Sequence, residues 1–502
     1  MNARLAARKL LAFNAGKPLP KGTTLHFPKR AAKDTLVLAF VRMGGESRPW
    51  GVAIGPPNRA PAIYTVAEAR DRELVGGMLE KVAPTLLAHM GHPSYARNLQ
   101  LPYVWLPNAS HVEMLHFLAF TYTFAKRGEA SRIKVLNALG RAANWLFQES
   151  TRPGQLSCID ASAALRESFI FPAEDVRQAH TGYLLAWLES GGPFEKRLRA
   201  AAQAEQRAVS TSLDPQVERA SLDGLVEEFN EAKRAANRAT MQRTGGQIRE
   251  ALEPELRHRF DVAARSYSLL VGDGRPSNPG LGELEKPISE RHTEYADIET
   301  KLLQGAKAWI ASPETDAHSL VAASQYVMLE ADRDRVVNAL VHYDTDMQDD
   351  LLTVGDGLRG RIVGIRDESE GRKIRAIWVV ESDVPRALRF RLGDTLVQAG
   401  YAKRKVEIRD IIESPQEPRR FELEVVAGIR KGDGKLGLMP LDTRWKGKTV
   451  TFLSVGEPGF AYMKRKMLWD RTGPGTWLTH RQVWENQTSA GEDDRDVDAV
   501  TP

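Results

Sequence analysis

The sequence predicts a multidomain α+β protein: a small N-terminal α+β head, an all-helical middle with long exposed helices, and a C-terminal antiparallel β-barrel, OB-like or similar. Three observations lead there. A chain of 502 residues exceeds what one hydrophobic core holds. Short β-branched and aromatic runs separated by Gly/Pro turns occur near the start and again past Thr353, whereas the stretch between them is rich in Ala, Leu and charge. The charge also divides: residues 356–481 hold 26 Lys/Arg against 17 Asp/Glu, an excess greater than the whole-chain net of +5.

The head spans residues 1–106. Runs at Thr35–Met43, Arg48–Gly55 and Ala60–Val66 read as a three-stranded meander, followed by a helix from about Glu68 to His89. A helical domain follows at 107–193. It opens on Asn108 and a Ser110/Glu113 capping box, continues with helices at Ser131–Glu149 and Ala173–Ser190, and ends on Gly191-Gly192-Pro193. His111 and His116 lie five residues apart on its first helix, a spacing that puts them on different faces and denies them a shared metal. Cys158, the single cysteine, has no disulfide partner in the chain, indicates a reducing cytoplasmic compartment, and reads as a structural thiol.

Residues 194–270 read as a helical hairpin arm, 271–287 as a Gly/Pro/Asn linker, and 288–352 as a further helical segment. Six strand candidates fill 353–481, the basic barrel, and an acidic tail at 482–502 lacks the apolar content to fold. No window is long and apolar enough to span a membrane, so no membrane partner is expected. Arg- and Ala-rich usage suggests a high-GC bacterial source.

One cluster has catalytic density. His342, Asp344, Asp346, Asp349 and Asp350 would suit a divalent metal and phosphodiester chemistry if they converged. The apolar positions Leu329, Val336, Leu340, Tyr343, Met347 and Leu351 instead carry a helical period through the acids, leaving His342, Asp346 and Asp350 as an outer row. A metal-dependent nuclease is therefore the alternative reading, with no cofactor expected on the main one. In Gly428–Gly437 the glycine–lysine spacing is wrong for a phosphate loop, so a hairpin turn is expected. Glu422 and Glu424 read as the charged outer face of a strand.

The basic residues of the barrel are more informative as a group. Arg386, Arg389, Arg391, Lys403, Arg404, Lys405, Arg409, Arg444, Lys446, Lys448, Lys464, Arg465 and Lys466 alternate with rings that include Tyr401 and Trp445. Cations for phosphates and rings for base stacking are what single-strand-binding barrels use. The expected function is a non-catalytic nucleic-acid-binding accessory subunit of a bacterial DNA-processing or defence complex, partnered by nucleic acid and by other protein subunits. A protein-binding scaffold that works through the helical arm is the second alternative.

Overall fold

The computed structural model describes residues 3–271 and 338–454 apart from 22–30, 44–46, 92–101, 127–128, 151–156, 174–176, 215–221, 339–340, 372–373, 383–388, 415–416 and 430–437. The chain divides into two compact units, Met1–Ser289 with Asp344–Asp346, and Glu290–Tyr343 with Met347–Pro502.

The first unit begins with helix α1 (Ala3–Ala15) and a short strand β1 (Leu19–Pro20). The expected meander is present as β2 (Leu36–Arg42), β3 (Pro49–Gly55) and β4 (Ala62–Thr65), each antiparallel to the next. Helix α2 (Arg72–Met90) follows, capped by Asp71, whose carboxylate accepts from the Glu73 and Leu74 amides. The chain then returns to the sheet twice. Strand β5 (Val104–Leu106) pairs parallel with β2, helices α3 (Ala109–Tyr122) and α4 (Ala130–Ser150) cross over, and β6 (Cys158–Asp160) pairs parallel with β5. The sheet order is β4-β3-β2-β5-β6.

This sheet corrects the boundary expected at residue 106. Strands β5 and β6 lie on either side of it in sequence and side by side in space, so the head and the helical domain share one core. At three residues each they are too short to show a period in sequence. Cys158 is fully buried in β6, and desolvation raises its thiol pKa well above the usual value.

Beyond β6 come α5 (Ala161–Ser168), β7 (Phe169–Ile170, paired with β1), α6 (Thr181–Glu189), α7 (Phe194–Glu205), α8 (Asp223–Arg234) and α9 (Arg238–Val271). The helix expected from Ala173 begins only at Thr181, because His180 takes the N-cap position and its Nδ1 accepts from the Tyr183 amide. The arm expected at 194–270 is not an arm. Helix α9 packs on β2, β3, β4 and β5 through Leu252, Leu256, Phe260 and Ala263, all buried, while α8 packs along α9. Gly51 makes room for that helix, since a Cβ there would sit 2.6 Å from Leu256 Cδ1. With helices over it, β3 is buried at every position, which explains its unbroken apolar run.

In the second unit, helix α10 (Thr345–Val354) leads into six strands: β8 (Gly357–Asp367), β9 (Ala376–Ser382), β10 (Thr395–Gln398), β11 (Tyr401–Ser414), β12 (Glu417–Val425) and β13 (Thr449–Leu453). They close into one antiparallel barrel, β10-β11-β12-β9-β8-β13. A strand falls within each of the six expected runs, the third of which is a strand only from Thr395. The closed six-strand order differs from the five-stranded, partly open OB arrangement. Trp378, Phe421, Leu423, Val406 and Phe452 fill the interior. Gly360 lets the wall close, because a Cβ there would lie 2.5 Å from the Glu381 carbonyl oxygen. The expected linker at 271–287, most of the 288–352 segment, the turn at 430–437 and the acidic tail lie outside the described residues.

Candidate functional site

The acidic cluster does not converge. The helix expected through residues 336–351 breaks at Asp344, whose carboxylate accepts from the Asp346 amide. The row of His342, Asp346 and Asp350 is therefore not continuous, and of the acids within α10 only Asp346 lies in its first turn, where the helix dipole favours it. Asp346 is held by Arg4 at 2.8 Å and Arg8 at 2.7 Å, and Asp349 by Arg359 at 2.6 Å. His342 is buried at 4% exposure. Among the described residues no three His, Cys, Asp or Glu side chains are placed to hold a metal ion.

The sheet of the first unit has its own natural ligand position, the carboxyl ends of β2 and β5, where the strand order reverses direction. The chain fills it. The Arg42 amide donates to the Thr211 carbonyl at 2.8 Å, and the Thr211 amide donates to Ser110 Oγ at 2.9 Å. His111, expected to pack or face solvent, is wholly buried: its Nδ1 accepts from the Phe40 amide and its Nε2 donates to the Val209 carbonyl. Arg259, also at 0% exposure, donates to the carbonyls of Ser210 and Ser212. Ser110 thus serves the 209–212 segment, and Asn108, rather than a Ser110/Glu113 box, caps α3. Phe120 on α3 and Phe124 just beyond its end are 86% and 72% exposed, and His116 of α3 stacks on Phe147.

The barrel sorts its basic residues into three sets. Some are matched by acids: Arg409 pairs with Glu424 and Glu407, Arg444 with Asp442, and Arg389 with Asp356. Glu424 is held below the usual carboxylate range by Arg375 first and Arg409 second, and Arg444 draws Asp442 down to about 2. Glu422 pairs with Arg366. These strands carry a self-neutralised surface.

Arg404 forms a set of its own. Expected at a phosphate, it is 1% exposed. Its guanidinium donates to the carbonyls of Gly428 and Leu438 and lies 5.1–5.7 Å from the ring centroids of Trp445, Tyr401 and Trp378. Gly428, at φ +70°, brings the backbone against it. Arg404 is a structural cation of the barrel interior.

The third set is Arg391, Lys403, Lys405, Lys446 and Lys448, which are exposed and form no ion pair among the described residues. Arg386, Lys464, Arg465 and Lys466 lie outside the described residues.

A pocket of about 290 Å³ has one member of this set, Lys448, in its lining. It is bounded by the β10–β11 turn, the start of β13 and the His342–Gln348 segment, and Gln398, Tyr401, Trp445, Lys448, Thr449 and Thr451 shape it. Gly400, at φ +76°, provides the two-residue turn that sets Gln398 opposite Tyr401. Tyr401 meets Trp445 edge to face at 5.8 Å, and Lys448 Nζ stands 5.2 Å from the Trp445 ring centre. Gln348 Nε2 donates to the His342 carbonyl, fixing the third wall.

Gln398 is 3% exposed, and its Oε1 accepts no hydrogen bond among the described residues. Tyr401, Trp445 and Lys448 thus line one pocket, together with Gln398, which sequence reasoning did not single out. Its signal was a polar residue two positions after the core Leu396, at an apolar phase of the strand. Neither family models, nor curated proteins, nor solved structures give a match to this chain.

Proposed function

We propose that the barrel binds single-stranded nucleic acid, without catalysing a reaction on it, as the binding module of an accessory subunit. The observation that carries this reading is where unmatched positive charge remains. Arg409 on β11 and Arg420 on β12 are neutralised by neighbouring glutamates, whereas Lys448 lines the pocket with Trp445 and Lys446 adjoins Trp445 in the chain, both with no ion pair among the described residues. Lys403 and Lys405 stand two residues apart on β11, a spacing that repeats one exposed strand face. Cations able to meet successive phosphates beside a ring-lined recess favour a strand with splayed bases over a rigid duplex. The exposed Phe120 and Phe124 support contact with other protein subunits through the first unit.

Filter binding of labelled single-stranded DNA, duplex DNA and single-stranded RNA at 50 and 200 mM salt tests this. Retention of single strands that falls steeply with salt, and falls further in a K446E/K448E variant, is the expected result. Absence of retention at the lower salt for every nucleic acid overturns the reading.

A further inference from the structure

We infer that helix α1 lies along an anionic lipid surface through an apolar face that the fold leaves bare. An ordinary surface helix buries its apolar stripe and exposes its cations. Helix α1 does the reverse. Arg4, Arg8 and Ala12 recur every four residues and form the inward row, in which both arginines pair with Asp346 and Ala12 is fully buried. Away from that row Ala6, Ala7, Leu10, Leu11 and Phe13 are exposed, the three large residues at 60%, 58% and 58%. The Phe13 ring meets Phe194 of α7 edge to face at 5.4 Å, which holds the end of the helix on the first unit.

Charge selects the occupant. Residues 1–33 contain eight Lys or Arg and no Asp or Glu, whereas the whole chain has 70 against 65, so the remainder is net acidic by three. Lys17, just past α1, and Lys33 are exposed and form no ion pair among the described residues. An acid-free cationic segment around a bare apolar stripe matches a bilayer with anionic headgroups, which meets the cations at its surface and takes the leucines and phenylalanine just beneath. Nucleic acid fits less well, because the exposed stripe offers no cation to a phosphate. A second copy of the chain fits less well too: one side of this 13-residue helix is a strip about 20 Å by 10 Å, far short of the ~800 Å² that each partner of a stable pair buries. Among the described residues no helix is long and apolar enough to cross a bilayer, which excludes spanning but not lying along the surface.

The test is cosedimentation of the full chain with vesicles of phosphatidylcholine alone, and of phosphatidylcholine mixed equally with phosphatidylglycerol. Wild-type protein is expected to bind the mixed vesicles about tenfold more tightly than the neutral ones, and less tightly as salt is raised. A L10S/F13S variant is expected to lose about tenfold on the mixed vesicles, because two apolar anchors are removed without adding charge. Its urea unfolding midpoint and its retention of single-stranded nucleic acid are expected to match the wild type, since both side chains face solvent. L10A/F13A serves the same purpose should the serine variant fail to fold. No cosedimentation with the mixed vesicles, or cosedimentation that both variants retain in full, overturns the inference and leaves the nucleic-acid reading untouched. A wild-type dimer that L10S/F13S disperses, or nucleic-acid retention that it abolishes, assigns the face to another occupant and equally overturns it.

Discussion

Arg404 and its neighbours show how little of a cation's role is visible in a run of letters. In AKRKVEIRD, Lys403, Arg404 and Lys405 look equivalent, yet strand alternation sends the middle one into the barrel and the outer two to solvent. Arg404→Ala is expected to lower stability by about 3 kcal/mol in urea unfolding, because backbone carbonyls and three rings lose their shared partner. The K403E/K405E pair is expected to leave the unfolding midpoint unchanged and to weaken nucleic-acid retention.

His111 is a second residue whose neighbours decide its chemistry. Burial lowers its pKa to about 3 from the usual 6.5, and a ring whose Nδ1 accepts from the Phe40 amide has no site for a second proton. The unfolded chain takes up that proton below pH 6.5 and the folded chain only near pH 3. Its stability contribution is therefore intact above pH 6.5 and is lost as pH falls toward 3, by up to about 1.4 kcal/mol per pH unit. Thermal midpoints measured from pH 8 to pH 5 are expected to fall less steeply in His111→Gln than in the wild type.

At the scale of elements, the strands with alternating or continuous apolar runs were legible: β2, β3, β4 and all six barrel strands. Helix α9 was legible as a helix but not as a covering layer. Its buried residues, Leu252, Leu256, Phe260 and Ala263, recur at the helical period between charged neighbours, and only the sheet opposite shows what they cover. The break at Asp344 was hidden because apolar residues continue in phase on both sides of it, while the side chain's bond to the Asp346 amide ends one helix and starts the next.

Helix contacts give a paired test. A Cβ on Gly140 of α4 would lie 2.4 Å from the Thr123 amide nitrogen, a backbone atom that cannot rotate away. Gly140→Ala is expected to cost about 3 kcal/mol in urea unfolding. Gly77 in α2 has nothing within 4 Å of that position. Gly77→Ala is expected to raise stability by about 0.5–1 kcal/mol through helix propensity.

For the whole molecule, the measurable quantity is how much of the formal charge is available. A net charge of +5 and the basic excess in residues 356–481 count every cation equally. Of the cations expected to meet nucleic acid, the fold withdraws Arg404 by burial and Arg409, Arg444 and Arg389 by pairing, leaving Arg391, Lys403, Lys405, Lys446 and Lys448 among the described residues. If all five meet phosphates of a single strand, log K against log salt is expected to slope no more steeply than about −3.5, which a salt titration measures. The sequence by itself determined the period of β2, β3, β4, the barrel strands and most helices, the basic character of the barrel and the presence of rings within it, because these follow from local spacing and composition. Tertiary structure alone decided that 1–106 and 107–193 share a sheet, that the acidic cluster is divided among separate arginines, and that Gln398 lines one pocket with Trp445 and Lys448. Those outcomes depend on contacts between residues tens to hundreds of positions apart, which no local pattern encodes.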